Sequence, residues 1–310
     1  MSTFEAYRTG MDTFTIEPLG PFSLEEAARF GFGQRHDSGF DGTMRLAFCV
    51  DGYQRQAGVS LTQAEDGSVH GTIAGPPATA TDRDQVIAQV ARVLSMDHDA
   101  RGYQELGDRD PVIARLLAAA PGLRPPLFYS AYEAALWSVI SMRRPSRTAA
   151  RWRDRLSAAV GAPFDVAGTP MWSLPTPRSL SDLGVAGVAA AAGIESARAE
   201  RVVGVAAAAL AGRLDTTTLA GLPEDEARAG LRTIPGIGPF YADLIVVRAT
   251  GATDVLPLNE PRLFGLMGEL YGRPGPLTPK EAEQVAEGWR PWRTWVGVLF
   301  RSAGPRILGR

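Results

Sequence analysis

The segment DVLPLNEPRL, residues 254–263, ends an apolar run with one amide, Asn259, and one carboxylate, Glu260. A carboxylate can stabilise developing positive charge and can orient or deprotonate a water molecule, as in glycoside hydrolysis. Glu260 also stands directly before Pro261, where a carboxylate favours the positive end of a helix dipole. Taken alone, the residue is therefore open to three interpretations: a catalytic group, a helix-capping residue or a solvated loop residue.

The segment LRTIPGIGPFYADLIVVRA, residues 231–249, carries the most specific pattern in the chain. Two helical patterns are joined by PGIG, where Gly236 and Gly238 permit positive φ and close approach of the backbone. With so little side chain in the way, the hairpin amides and the N-terminus of the second helix can point at a phosphate. A tight turn that needs glycine only for packing is the alternative. The apolar residues Ile234 and Ile237, which flank the turn, favour binding of a nucleic-acid backbone.

The elements that must position these residues fall into two parts. Residues 13–74 hold short apolar or alternating segments separated by Gly/Asp turns, with one helix after Ser23, which is typical of an antiparallel sheet. After a proline-rich break, helical periodicity continues nearly to the C-terminus, interrupted by the proline-rich loop APFDVAGTPMWSLPTPRSLSDLG. The predicted fold is α+β, with an antiparallel sheet domain in residues 1–80 and a helical domain in residues 81–310. The helical domain should hold about eight to ten helices, including the hairpin at about 223–250.

Composition and charge limit the class of protein. At 310 residues, with 45% apolar and 21% charged side chains, the chain has the composition of a soluble globular protein. No apolar run reaches the ~18 residues that a membrane span needs, and no secretion signal precedes the sheet, so a cytoplasmic protein without membrane contact is expected. Residues 1–80 hold 10 acidic and 5 basic side chains, whereas residues 136–310 hold 16 acidic and 21 basic ones. Any polyanion is therefore expected to bind the second half of the chain.

No metal site is predicted from the sequence. The single cysteine, Cys49, lies in a buried-strand pattern, and one cysteine cannot form a disulfide or a four-cysteine cluster within the chain. The three histidines, His36, His70 and His98, stand isolated in the sequence.

The order of several segments resembles one known family. The hairpin, followed after a helix by DVLPLNEPRL and later by WRPWRTWVGVLFR, resembles the helix-hairpin-helix DNA glycosylases, and specifically the bacterial 3-methyladenine DNA glycosylase II family. FTIEPLGPFSL and DGTMRLAFCVDG resemble that family's N-terminal sheet domain, and PGLRPPLFYSAYEAALWSVIS resembles the start of its first catalytic helix layer. The resemblance implies a monomer that binds duplex DNA, flips out an alkylated purine and cleaves its N-glycosidic bond in base excision repair.

The resemblance assigns the catalytic position to Glu260. The family carries an aspartate at the seventh position of the segment that begins DV, and this chain carries a glutamate there. Asp254, at the start of the segment, is expected to close the preceding turn. Because glutamate is one methylene longer, two functions stay open: a glycosylase with a catalytic Glu260, or a noncatalytic DNA-binding protein of the same fold. A third function, a glycosylase retuned for a different lesion, would follow from the changes at Phe240 and Leu244 and at Met142 and Arg143.

The resemblance also implies which residues contact DNA and the base. Arg143 and Arg144 lie in the loop that enters the gap left by the flipped nucleotide, where the family has glutamine at the position of Met142. The residues predicted to bind DNA are Pro235, Gly236, Ile237, Gly238, Arg143 and Arg144, and those predicted to line the base pocket are Phe240, Leu244, Met142 and Arg301. Bifunctional members carry a lysine where this chain has Phe240, which implies a monofunctional enzyme without cofactor. Hairpin carbonyls such as those of Arg232 and Ile234 could hold a monovalent cation.

Overall fold

The N-terminal part is an antiparallel sheet, as the sequence predicts. The computed structural model describes residues 12–30, 39–75 and 79–310. The sheet has the strand order β1-β4-β3-β2, with the strands β1 (Asp12–Ile16), β2 (Thr43–Cys49), β3 (Gln56–Gln63) and β4 (Val69–Ala74). Helix α1 (Leu24–Phe30) begins after Ser23, whose Oγ accepts the Glu26 N–H at 3.1 Å. The buried apolar residues of helix α2 (Ala80–Val93) pack in one cluster with those of the sheet.

Helices form most of the remaining described chain and confirm the predicted fold class. Their bounds are α3 (Leu106–Arg109), α4 (Pro111–Ala119), α5 (Ala131–Ser141), α6 (Ser146–Val160), α7 (Pro177–Ala192), α8 (Ser196–Leu210), α9 (Thr216–Gly221), α10 (Glu224–Arg232), α11 (Pro239–Ala249), α12 (Pro261–Leu270), α13 (Pro279–Ala286) and α14 (Arg293–Ile307). Polar side chains fix several starts: Asp110, Asp215 and Thr278 each accept a backbone N–H of the helix that follows. The described residues hold more helices than the sequence predicts. Helices α3 and α9 are too short to show periodicity, and α7 begins inside the segment 162–184 that the sequence predicts as a proline-rich loop.

A small β-hairpin lies where the sequence predicts a proline-rich loop. Strands β5 (Pro163–Val166) and β6 (Thr169–Trp172) pair with each other. Phe164 packs so closely on β3 that a Cβ added to Gly58 would lie 2.8 Å from the Phe164 Cβ. Proline is tolerated at strand ends and sheet edges, so proline content alone did not exclude strands here.

Two apolar clusters hold the helical part together. One is centred on α5, α8 and α11, and the other on α4, α12 and α14, where Trp289, Trp292 and Trp295 are buried. The C-terminal half of α11 also contacts the segment before α5, where the Phe128 N–H donates to the Arg248 carbonyl at 2.7 Å. Helix α11, the second helix of the hairpin, therefore has a fixed position against α5. Among the described residues, no helix is long and apolar enough to cross a membrane.

Candidate active site and nucleic-acid interface

The hairpin between α10 and α11 brings its backbone to the surface. Ile234 and Ile237 are buried on its inner side, and Gly236 has φ +96°, a conformation that side chains with a Cβ rarely adopt. Gly238 instead has φ −87° as the first residue before α11. No described heavy atom lies within 4 Å of a Cβ added to Gly238. The two glycines thus serve different needs: Gly236 makes the turn, and Gly238 leaves the first amides of α11 open.

The turn after α5 carries Met142, Arg143 and Arg144. Arg143 is exposed with φ +54°, and Arg144 is exposed with its guanidinium 5.7 Å from the Trp152 ring centroid. The turn is held from the inside by Arg198 on α8, which is buried. The Arg198 guanidinium donates to the carbonyls of Val139, Ile140 and Met142 at 2.7, 3.0 and 3.2 Å. These carbonyls would otherwise lack partners at the end of a helix.

The hairpin and this turn lie at one surface. A Cβ added to Gly236 would lie 3.1 Å from Val139 Cγ1 and 3.0 Å from Arg201 Cδ. Val139 stands one helical turn before Met142, so the end of α5 touches the hairpin directly. The structure therefore brings the hairpin close to the turn that carries Arg143 and Arg144. Ile237, also predicted to bind DNA, is buried and donates its N–H to the Ile234 carbonyl.

One face of α11 leads from this surface into the protein. Phe240, Leu244 and Arg248 are spaced by four residues and share that face; the first is 43% exposed, the second half-buried and the third buried. The Phe240 ring contacts Tyr241 edge-on, with centroids 5.3 Å apart. The predicted pocket residues Phe240 and Leu244 therefore lie one helical turn apart on the same face of α11. Met142, also predicted to line the pocket, lies half-buried on the turn after α5.

Arg248 closes the inner end of this face and was not predicted from the sequence. Its guanidinium donates to the Pro126 carbonyl and lies 5.0 Å from the Phe30 ring centroid. Burial, with a smaller contribution from the positive charge of Arg301, lowers the pKa of Arg248 to about 9. The positive charge of Arg301, a predicted pocket residue, is therefore felt by Arg248 at the inner end of the same face. The four-residue spacing from Leu244 was the signal that could have identified Arg248.

Glu260 lies directly before α12 and is half-buried. Its carbonyl accepts the Leu263 N–H at 3.0 Å. Within the described residues its carboxylate makes no capping hydrogen bond to α12, so the structure does not use this side chain as the helix cap. At the other end of the segment, the Asp254 carboxylate pairs with Arg293 at 2.7 Å and with Arg290 at 2.6 Å. Asp254 therefore has a structural role, and the catalytic role of Glu260 stays a prediction.

The loop that carries Glu260 is tied to α11 by a contact that sequence reasoning missed. Asp243 on α11 is only 4% exposed. One of its carboxylate oxygens accepts from Asn259 Nδ2 at 2.5 Å, and the other accepts from Arg228 Nε at 2.7 Å. Asp243 stands between Phe240 and Leu244 in sequence, so the bond places the loop of Glu260 next to this part of α11. The sequence signal that could have identified this contact was an aspartate inside an apolar helix pattern, with an asparagine sixteen residues later.

A separate cavity of about 550 Å³ lies between the sheet and α5 and α6. Its lining includes Phe128, Glu133, Trp137 and Arg153, and none of its lining residues belongs to α11 or α12. Burial raises the pKa of Glu133 to about 8, although its carboxylate accepts the Cys49 N–H at 2.9 Å. The cavity is not lined by α11, but it adjoins the inner end of the α11 face, because Arg248 is hydrogen-bonded to the lining residues Pro126 and Phe128.

The described residues hold no group of three or more His, Cys, Asp or Glu side chains that could bind a metal ion. His70 contacts Thr15 and His98 contacts the Gly251 carbonyl, at 3.1 and 3.0 Å, and His36 lies outside the described residues. At the hairpin, the Ile234 carbonyl accepts the Ile237 N–H at 3.0 Å. A carbonyl oxygen has two lone pairs, so this bond is compatible with a bound monovalent cation.

Comparisons with known proteins agree with this geometry. No protein-family model matches the chain. It is 29% identical over 210 residues to a probable bifunctional transcriptional activator/DNA repair enzyme AlkA of Mycobacterium tuberculosis, covering 67% of this chain and 40% of the relative. It is 31% identical over 187 residues to DNA-3-methyladenine glycosylase 2 of Escherichia coli K12, covering 59% of this chain and 61% of the relative. The chain thus spans only about half the length of these curated relatives.

Solved structures resemble the chain over nearly its whole length. A 3-methyladenine DNA glycosylase from Archaeoglobus fulgidus superposes with a TM-score of 0.78 at 18% identity, over 95% of this chain and 99% of the other. MBOgg1 in complex with a low-affinity DNA ligand superposes with a TM-score of 0.73 at 19% identity, over 97% and 99%. At these identities the structural likeness establishes the shared fold.

Proposed function

We propose that the chain is a divergent member of the helix-hairpin-helix DNA glycosylases and that it is a monofunctional DNA glycosylase, as its similarity to 3-methyladenine DNA glycosylases supports. Its proposed substrates are alkylated purines of the 3-methyladenine type in duplex DNA, and its proposed role is base excision repair. The observation that carries the proposal is the bond between Asn259 and Asp243. It sets the loop of Glu260 beside the part of α11 that bears Phe240 and Leu244.

The proposed mechanism begins with binding of the DNA backbone. The open amides at the start of α11 bind a phosphate, and the adjacent turn with Arg143 and Arg144 faces the strand at the flipped nucleotide. The exposed ring of Phe240 offers an aromatic face to the flipped base, and a cationic alkylated base is attracted to such a face.

Bond cleavage then depends on Glu260. An alkylated purine is already cationic and leaves readily, so the site needs no strong general acid. Glu260 stabilises the positive charge that develops on the sugar and orients or deprotonates the attacking water. Because Phe240 stands where an amine nucleophile would have to be, water is the nucleophile and no Schiff base forms.

The test uses oligonucleotides that carry alkylated purines, with abasic sites as the product. We expect product from the wild-type protein and loss of product from Glu260→Gln. Glu269→Gln, at an exposed carboxylate on α12 that pairs with Arg310 after the end of α14, should act as wild type. Glu260→Asp tests the side-chain length: higher activity would show that the position is right and that glutamate is suboptimal.

Two results would contradict this assignment. Product that survives Glu260→Gln would refute the role of Glu260. No product from any lesion, with DNA binding intact, would refute the enzyme and favour the alternative of a noncatalytic DNA-binding protein with the same fold.

A further inference from the structure

The buried carboxylate of Asp243 joins three elements of the site. It accepts from Arg228 on α10 and from Asn259 in the loop before α12, while Asp243 itself lies on α11. We propose that Asp243 is a positioning residue that holds Asn259, and through it the carboxylate of Glu260, at the catalytic position. The proposal rests on the proposed glycosylase activity for its effect on rate, but the anchoring itself can be tested without activity.

Both carboxylate oxygens of Asp243 are hydrogen-bonded. A buried carboxylate is costly unless its oxygens are paired, and here each oxygen has a different partner, Arg228 at 2.7 Å and Asn259 at 2.5 Å. Hydrogen bonds to a charged group are stronger than neutral ones. Asn259 itself lies on an exposed turn. The hydrogen bond from its side-chain amide to Asp243 connects this turn to the protein interior.

The loop is fixed at both of its ends. At its start, Asp254 pairs with Arg290, three residues before α14, and with Arg293, the first residue of α14. In its middle, Val255 and Leu256 are buried. At its end, Asn259 is held by Asp243. Glu260 follows directly, so the Asn259 bond is the last constraint before the proposed catalytic carboxylate.

The same carboxylate also joins the two helices of the hairpin. Arg228, on the first helix, pairs with Asp243 on the second at 2.7 Å and with Glu224 on its own helix at 3.1 Å. The element that faces DNA and the loop that carries Glu260 therefore share one anchor. Displacements of about 1 Å at a reacting group can cost on the order of a hundredfold in rate, so loosening this anchor should affect bond cleavage more than DNA binding.

The experiment compares Asp243→Asn and Asn259→Ala with a matched control, Asp225→Asn. Asp225 is an exposed carboxylate 3.5 Å from the same arginine, Arg228, and it makes no described contact with the loop. We measure single-turnover excision with saturating protein, DNA affinity by fluorescence anisotropy, and amide hydrogen exchange of residues 254–263. Both variants should lose about 10- to 100-fold in single-turnover rate while DNA affinity changes by less than about threefold and amide exchange in the loop becomes faster. The control should match the wild-type protein.

A double-mutant cycle separates positioning from a general loss of stability. If Asn259 acts through Glu260, then Glu260→Gln should cost much less rate in the Asn259→Ala background than in the wild-type protein. Additive losses, or an unchanged rate in folded Asn259→Ala protein, would overturn the proposal. Because Asn259 lies at the surface, we expect Asn259→Ala to fold. This variant therefore tests the positioning role even if Asp243→Asn does not fold.

The failure of this inference differs from the failure of the proposed function. Wild-type protein that releases no base from any lesion would refute the glycosylase activity. In that case the exchange measurement still decides the anchor: faster exchange of residues 254–263 in Asn259→Ala supports it, and unchanged exchange refutes it. An active wild-type protein whose rate is unaffected by both variants would refute only the positioning role.

Discussion

Replacement of Gly236 by alanine tests the geometry of the hairpin. Gly236 has φ +96°, where an L-residue costs roughly 1–2 kcal/mol. The added Cβ would also lie 3.1 Å from Val139 Cγ1 and 3.0 Å from Arg201 Cδ. The arginine chain can move, but Val139 is fully buried and close-packed interiors yield little. We therefore expect Gly236→Ala to lower the free energy of unfolding by about 2 kcal/mol.

The same change should weaken DNA binding. Relief of the contact with Val139 must shift the hairpin backbone outward, and the amides at the start of α11 shift with it. A loss of about 1.4 kcal/mol in binding free energy corresponds to a tenfold rise in Kd, which is the effect we expect for undamaged duplex DNA.

Gly230→Ala is the matched control. Gly230 lies within α10, and no described heavy atom lies within 4 Å of a Cβ added there. Alanine in a helix is favoured over glycine by about 0.8–1.0 kcal/mol, so this variant should be more stable than wild type and should bind DNA normally. Urea denaturation and fluorescence anisotropy measure both quantities. A Gly236→Ala protein with wild-type stability and affinity would refute the argument from φ and from the contact with Val139.

Two further variants test the electrostatics. Burial raises the pKa of Glu133 from 4.5 to about 8. Between these pH values the unfolded chain has lost a proton that the folded protein keeps, so the free energy of unfolding should fall as pH rises through this range. Glu133→Gln should remove that part of the pH dependence, and an unchanged dependence of the unfolding free energy on pH, measured by urea denaturation, would contradict this. Arg143→Ala should weaken binding to duplex DNA and make the slope of log K against log salt less negative by about 0.9, whereas Arg101→Ala, at an exposed arginine paired with Asp99, should leave the slope unchanged.

The sequence predicts those features of the fold that depend on local pattern. The alternating segments form the N-terminal sheet, and PGIG forms a turn between two helices at the expected place. The strands and the hairpin helices are predicted from residues close together in the chain, where geometry follows directly from spacing. The pocket positions Phe240 and Leu244 came instead from the resemblance to the glycosylase family.

The parts that the sequence does not predict depend on distant pairing. Asp243 and Asn259 are sixteen residues apart, and no periodic pattern connects a helix to a loop beyond its end. Arg198 lies 59 residues from the Val139 carbonyl to which it donates, and a lone arginine on a helix is more often solvated. The β5–β6 hairpin was missed because its prolines are typical of loops, although they are compatible with strand ends.

The buried guanidinium of Arg198 has a consequence for how this surface can vary. The carbonyls at the end of α5 are bound by a residue from another helix, so the end of α5 is held without help from the side chains of residues 143 and 144. Substitution of Arg144 should therefore leave the end of α5 in place as long as Arg198 is kept, whereas position 143, at φ +54°, disfavours β-branched residues. This separation of scaffold from proposed contact residues makes the turn a suitable place for engineering.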